Sequence, residues 1–258
     1  MKDELGDILK KYEKEAEGYP SGESPIVVRL DGKNFSKWTK GLAKPYDARM
    51  VTIMTEVSEV LLKFCNASVA FSQSDEITLI LTKPSENGEM LFGGRYQKLS
   101  SVLASLATYT FNRLVEDYIP EKSSTMALFD ARTFEVPDIK TAVDSLKWRA
   151  EDCRRNSVSC LAQTEFSHKQ LQNKNVGQMK KMLKEINKDW ENTPDFYRNG
   201  VYVSKKIVEN KLTDIEIGSL PKMHLARRNP DMTFKRSVID ISYDSILDAE
   251  DPTSFINK

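Results

Sequence analysis

Apolar positions along the chain switch between a helical and a strand-like period, and the switches mark out its elements. Leu5, Ile8, Leu9 and Tyr12 recur at helical spacing and predict a short, charged amphipathic helix over residues 3–17. Pro20 to Pro25 is turn-rich and leads into Ile26-Val27-Val28-Arg29-Leu30-Asp31-Gly32, a β-branched run predicted to be a strand stopping on Asp-Gly. Residues 33–45 are irregular, basic and aromatic, with Phe35, Lys37, Trp38, Lys40 and Lys44. From Asp47 as cap, Met50, Met54, Val57, Leu61 and Phe64 follow the helical period to about residue 64. Two short apolar runs between Ala67 and Leu81 then flank the polar break Gln73-Ser74-Asp75-Glu76, which predicts a tight β-hairpin with two acids at its tip.

After an exit loop containing Pro84 and Gly88, Leu99, Val102, Leu103, Leu106 and Leu114 predict a second amphipathic helix over about residues 92–118. Met126 to Val136 follows as a strand closing on Pro137. Asp138 to about Phe166 is helical, with Trp148, Cys153, Val158 and Cys160 as candidate buried positions. Ser167 to Gly177 is a polar connection, Lys180 to Trp190 a lysine-rich helix, and Phe196 to Val208 a hairpin or strand around Asn199-Gly200. A basic patch (Lys222, His224, Arg227, Arg228, Lys235, Arg236) precedes an acidic end (Asp240, Asp244, Asp248, Glu250, Asp251).

Strand, helix, hairpin, helix, strand is the order of an α+β fold, an α/β sandwich on the ferredoxin-like βαββαβ plan. It is also the order of the palm shared by polymerases and nucleotide cyclases, where acids on the first strand and the central hairpin bind two metals. The expected division is a palm-like catalytic core over residues 1–136 and a helical and hairpin extension over 137–258, packed together as one compact unit. Since many functions share this sheet, the positions of the acids carry more weight than the order of elements.

Composition narrows the chemistry. The chain has 258 residues with 38 basic and 38 acidic side chains, so no global field draws it to nucleic acid and any such surface must be local. Cys65, Cys153 and Cys160 show neither a paired framework nor metal-ligand spacing, as expected of reduced thiols in a cytoplasmic protein. With only His168 and His224 present, a histidine-based zinc site or dyad is not expected. No apolar run approaches a membrane span, and Met1-Lys2-Asp3-Glu4 is too acidic for a targeting peptide.

Taken singly, Asp31-Gly32 is an ordinary turn and Asp75-Glu76 a solvated loop. Taken together, with Arg29 two residues before Asp31 and Ser74 beside Asp75, they suit a phosphate-and-metal site. Carboxylates on neighbouring strand ends hold hard divalent cations and leave coordination positions for phosphate oxygens. A hairpin turn has no need of acids, so Asp75 and Glu76 are expected to serve chemistry rather than the fold.

Arg29-Leu30-Asp31-Gly32-Lys33-Asn34-Phe35, Lys44-Pro45-Tyr46-Asp47, Gln73-Ser74-Asp75-Glu76, Phe129-Asp130-Ala131-Arg132 and Trp148-Arg149-Ala150-Glu151-Asp152-Cys153 resemble, in order and spacing, the motifs of the tRNA(His) guanylyltransferase family. The likeness spans roughly residues 5–205. It implies a polymerase-like palm that adds nucleotides to the 5′ end of tRNA in the 3′-to-5′ direction. Where the guanylyltransferases carry His-Ile-Asn-Asn, this chain has Arg154-Arg155-Asn156-Ser157, followed by Phe166-Ser167-His168-Lys169, which is more similar to the family branch that restores missing 5′ nucleotides using the opposite strand as template.

The resemblance implies roles. Asp31, Asp75 and the Gly32 carbonyl would bind two or more Mg²⁺ ions, with Asp31, Asp75 and Glu76 catalytic. Glu76 is either a ligand or a support to Ser74. Arg29, Lys33, Asn34, Phe35, Lys44, Asp47 and Ser74 would lie near one nucleotide, and Arg95 and Lys98 near a second phosphate site, with ATP and GTP as substrates. Arg154, Asn156, Lys180, Lys184, Tyr197, Arg198 and Asn199 would meet RNA, although a lysine run on a helix such as Lys180, Lys181, Lys184 and Lys188 is more often a solvated face. Arg154 could alternatively be a structural partner of Glu151 or Asp152. A homotetramer on tRNA, free of membranes, is expected. Two other readings stay open: a dedicated enzyme adding one G to tRNA(His), and a non-catalytic palm that binds nucleotide or RNA.

Overall fold

The computed structural model describes residues 4–83, 88–229 and 231–256, so the predicted exit-loop residue Pro84 lies outside the described residues. In chain order the helices are α1 (Glu4–Ala16), α2 (Phe35–Trp38), α3 (Ala48–Cys65), α4 (Tyr96–Tyr118), α5 (Ile139–Glu165), α6 (His168–Leu171), α7 (Val176–Glu185), α8 (Asp195–Asn199), α9 (Asp214–Ser219) and α10 (Leu225–Arg228). The strands are β1 (Ile26–Gly32), β2 (Val69–Gln73), β3 (Glu76–Leu81), β4 (Phe129–Glu135), β5 (Val201–Lys211) and β6 (Thr233–Ser242). They form one antiparallel sheet in the order β4-β1-β3-β2-β5-β6. Its first four strands, with α3 and α4 as crossovers, are the ferredoxin-like unit expected from the pattern.

Alternation along the strands sorts residues between two layers. Ile26, Val28, Leu30, Ile77, Leu79 and Leu81 face α3 and α4, joining Ile53, Leu61, Leu103 and Phe111 in one core. Val27, Val69, Phe71 and Ile80 face the opposite way and pack with Val143, Leu146 and Cys153 of α5 and with Ile246 and Ile256. Burial on both faces explains why β1 and β3 read as continuous apolar runs. A third cluster joins Val158, Leu161 and Ala162 of α5 to Leu171, Leu183 and Trp190.

Caps account for the helix starts. Asp47 accepts from the Arg49 N–H at 3.1 Å and Asp138 from the Thr141 N–H at 2.7 Å, while Asn175 and Gln178 form a capping box at α7. Phe92 and Gly93 take left-handed φ values of 56° and 62°, so the predicted helix over 92–118 begins only at Tyr96.

Other expectations are corrected. Leu9 and Tyr12 of α1 are exposed, Met126 precedes β4 as an exposed residue, and the polar connection after residue 166 holds α6. The lysine-rich helix runs from Val176 to Glu185, and Trp190 is buried in a separate 3₁₀ turn. The segment around Asn199-Gly200 is a short helix turning into β5, and the basic tail residues Lys235 and Arg236 lie in β6, which pairs with β5 along its length. Trp148 and Cys160, read as core, are exposed: Trp148 lies beside Arg29 and Cys160 lines a cleft.

Candidate active site

The register places three rows of side chains across the α5-facing side of the sheet, since directly opposed residues share a face. Asp31 on β1 is opposed by Glu76 on β3 and by Asp130 on β4. Two residues back, Arg29 is opposed by Thr78 and Arg132, and two further back Val27 is opposed by Ile80 and Phe134. A row of acids thus adjoins a row containing two arginines. The turn between β2 and β3 brings Asp75 to the acid row: the Gly32 N–H donates to the Asp75 carbonyl at 3.1 Å, tying the end of β1 to the hairpin tip.

Asp31 and Asp75 are therefore brought together by backbone geometry. Ser74, at φ 49°, holds the turn in the left-handed region and donates to Asp75 Oδ1 at 2.9 Å. Burial pushes the Asp75 carboxyl above the usual carboxylate range, and the negative charges of Asp31 and Glu76 add to the push. This uncompensated negative field, made of oxygen donors at strand ends, fits a hard divalent cation. Glu76 is committed differently. It is the first residue of β3 rather than part of the tip, and Arg149 of α5 donates to it from Nε at 2.5 Å and Nη2 at 2.8 Å. Burial pushes the Glu76 carboxyl up, while Arg149 and Arg29 pull against that. The acid that seemed unnecessary to the fold is thus the anchor of α5 on the sheet. Among the described residues no three His, Cys, Asp or Glu side chains converge as a preformed metal cluster. The residues that fit a cation are Asp31 and Asp75, with the Gly32 carbonyl adjacent in the chain.

A cleft of about 490 Å³ opens beside these acids. Asp31, Ser74, Asp75, Glu76 and Arg149 form its polar end. Lys44, Tyr46, Met50, Met54, Phe196 and Tyr197 line its largely apolar remainder. Tyr46 packs edge-on against Phe196 and tilted against Tyr197, with ring centroids 5.2 and 4.9 Å apart. A cavity of this size, apolar with a few convergent polar groups, suits a small organic ligand bearing a charged end.

The remaining expected residues divide. Lys44 and Asp47 line the cleft, but Asp47 spends both oxygens on its cap and on Arg49, which holds its carboxyl down at about 2. Phe35 is corrected: its ring is buried against Trp38, Phe111 and Phe129, because Gly32 has no Cβ to keep it out. Lys33 and Asn34 are exposed just past Asp31, and the Lys33 N–H donates to the Leu128 carbonyl. Arg95 and Lys98 stand at the start of α4, in the opposite layer, outside the cleft lining; Lys98 lies over the Phe92 ring at 4.8 Å.

Asn156 and Tyr197 line the cleft, and the Tyr197 hydroxyl donates to the Ser157 carbonyl at 2.6 Å. Arg154, Lys180, Arg198 and Asn199 line a second cavity of about 490 Å³. Arg154 binds Asp248 and Asn199 there, not Glu151 or Asp152. Lys184 pairs with Asp189 at 3.3 Å and Lys188 with Glu165 at 3.9 Å, so much of the lysine-rich face is matched internally. Sequence reasoning missed the roles of Arg149 and Tyr46. Both stood inside quoted motifs, but their partners are distant in the chain. Among the described residues no helix is long and apolar enough to cross a membrane.

A ferredoxin-like sheet with acids at the end of its first strand and on its central hairpin, beside a ligand-sized cleft, defines a palm of the nucleotidyl-transferring kind. The family described as tRNAHis guanylyltransferase matches residues 6–137, half of the chain. The chain belongs to the tRNA(His) guanylyltransferase family, a family of nucleotidyltransferases. An uncharacterised protein of Acanthamoeba polyphaga mimivirus is 30% identical over 80% of this chain and 78% of its own length. The tRNA(His) guanylyltransferase of Saccharomyces cerevisiae is 29% identical over 70% and 82%. A bacterial tRNA(His) guanylyltransferase-like protein solved in complex with ATP superposes with TM-score 0.73 at 32% identity, covering 78% of this chain and 88% of the other. The corresponding values for the S. cerevisiae guanylyltransferase structure are 0.64, 26%, 73% and 88%.

Proposed function

We propose that this chain extends the 5′ end of truncated tRNA in the 3′-to-5′ direction, selecting each nucleotide by pairing with the opposite strand. The observation that carries the reading is the convergence of Asp31 and Asp75 at the polar end of the cleft, one row from Arg29. In this reading the RNA 5′-phosphate first attacks the α-phosphorus of ATP or GTP, releasing pyrophosphate and leaving a nucleoside monophosphate on the RNA end. The 3′-hydroxyl of an incoming nucleotide then attacks the RNA 5′-phosphorus and expels the activating nucleotide. Asp31 and Asp75, with the Gly32 carbonyl, would hold Mg²⁺, which supplies charge neutralisation at phosphate and a more acidic hydroxyl. Lys44, Ser74 and Arg29 bind phosphate oxygens as point charge, hydroxyl donor and guanidinium. Tyr46, Met50, Met54 and Phe196 receive the base. Glu76 acts through Arg149, keeping α5 over the site.

Support for templated addition comes from Arg154-Arg155-Asn156-Ser157 standing in place of His-Ile-Asn-Asn. Residues 1–136 are taken as the catalytic core, residues 137–258 as the extension, and the working form as a homotetramer; light scattering at 29.4 kDa would count against the last. The deciding experiment offers 5′-truncated tRNAs, differing only in the opposing acceptor-stem base, with labelled nucleotides. Incorporation that follows the template base supports the reading. Addition of G whatever that base is would return the chain to dedicated tRNA(His) guanylylation.

A further inference from the structure

Trp38 and Trp190 are each 5% exposed, whereas Trp148 is 53% exposed. Its indole therefore offers a large flat aromatic face, and the groups around it say what that face would hold. The Arg149 guanidinium lies 4.6 Å and that of Arg29 5.9 Å from the ring centroid. Arg29 directly opposes Arg132 across β1 and β4, and Arg132, paired at 3.6 Å with Asp130 but more than half exposed, still presents its guanidinium to an anion lying over the row. Arg29 Nε is buried without a hydrogen-bond partner, its nearest carboxylate oxygen being that of Glu76 at 4.0 Å. Phe134, exposed on the same sheet face, extends the aromatic surface by one row.

We propose that Trp148 is a stacking platform for an unpaired nucleobase at the end of the RNA, with the phosphate of that nucleotide over Arg29 and Arg132. A cationic track with an aromatic face beside it is how proteins hold single-stranded nucleic acid, and stacking works with any base because every base has a π-face. The arginine row lies two residues, about 7 Å, from the acid row. A base on Trp148 therefore places the RNA end within one nucleotide of Asp31 and Asp75. Cationic flanks favour RNA over a second copy of this chain as the occupant. The inference rests on the proposed RNA substrate but assigns a residue that reading does not use.

The test follows tryptophan fluorescence and its quenching by acrylamide while 5′-truncated tRNA is titrated in, with filter binding in parallel. Binding should quench the exposed indole and shield it from acrylamide. Trp148→Ala should lose the signal and weaken RNA binding by tenfold or more, the loss expected for one stacked base, while Trp148→Phe retains most affinity. Asp31→Ala should still show the quenching. Circular dichroism confirms that the Trp148 variants fold. If tRNA binds with the Trp148 signal unchanged, the platform is wrong and the proposed function stands. If no tRNA binds, both fall. Shielding that grows with protein concentration in the absence of RNA would instead place a second copy on Trp148 and overturn the inference.

Discussion

Arg149 grips Glu76 with two hydrogen bonds, Nε to Oε1 at 2.5 Å and Nη2 to Oε2 at 2.8 Å, across 73 residues of sequence. Both residues are 8% exposed, so the pair is desolvated, and Arg149 also donates to Asp152 at 2.8 Å. This contact clamps α5 to the sheet next to the acids. Removing one partner leaves the other charge buried. Glu76→Gln should therefore cost about 3 kcal/mol of stability, whereas Glu76→Gln combined with Arg149→Met should cost less than the two single losses added. Urea denaturation of the four proteins measures this; a Glu76→Gln variant as stable as the parent would sink the clamp.

Asp31 and Asp75 repel one another in the cation-free protein, so replacing either should not unfold it. Asp31→Asn and Asp75→Asn are expected to keep the melting temperature, or raise it slightly, while nucleotide addition falls below detection. Chelation of Mg²⁺ should silence the parent, and added Mg²⁺ should restore it. Near-normal turnover by either variant would exclude the metal role.

Asp47 is held at about 2 by the Arg49 side chain, below its ordinary 3.8, and by the N-cap of α3. A carboxyl depressed in the folded state adds stability that is full above pH 4 and fades as the pH falls towards 2. Asp47→Asn should destabilise the protein by about 1–2 kcal/mol at pH 7. The difference from the parent should narrow between pH 4 and pH 2 in thermal melts. A gap independent of pH would show that the charge of Asp47 is not what matters.

Gly200 ends α8 at φ 75°, and a Cβ there would lie 2.5 Å from the Phe71 ring and 2.8 Å from the Ser72 carbonyl oxygen. Gly200→Ala combines a left-handed backbone with a clash against fixed backbone. It should cost upwards of 1 kcal/mol. Phe71 and Ser72 lead into the acid-bearing turn, so nucleotide affinity should fall along with stability. A variant matching the parent in both melting and nucleotide titration would refute this.

Much of the fold was legible in the chain. The βαββαβ order, the cap at Asp47 and the hairpin between Val69 and Leu81 are local patterns of period and turn, and local patterns survive in sequence. The pairing of Asp31 with the hairpin tip was also foreseeable, because a strand ending on Asp-Gly beside a central hairpin admits few registers. The β6 strand was hidden, since its exposed residues mix charge and apolar side chains without strict alternation and its pairing with β5 supplies the order.

Only the tertiary structure decided how the site residues are used. By chain position Glu76 looked like half of an acidic tip; the two-residue turn makes it the first residue of β3, and α5 brings Arg149 against it. Phe35 sat within a nucleotide-like motif, yet the bare Cα of Gly32 lets its ring fall into the core. Trp148 had the composition of a core residue and lies in the open beside Arg29. Arg154 found its partner in Asp248, far along the chain. Sequence specifies each residue's chemistry and its local geometry, but burial and ion pairing depend on which distant element folds over a position, and that is settled only when the sheet and α5 close upon each other.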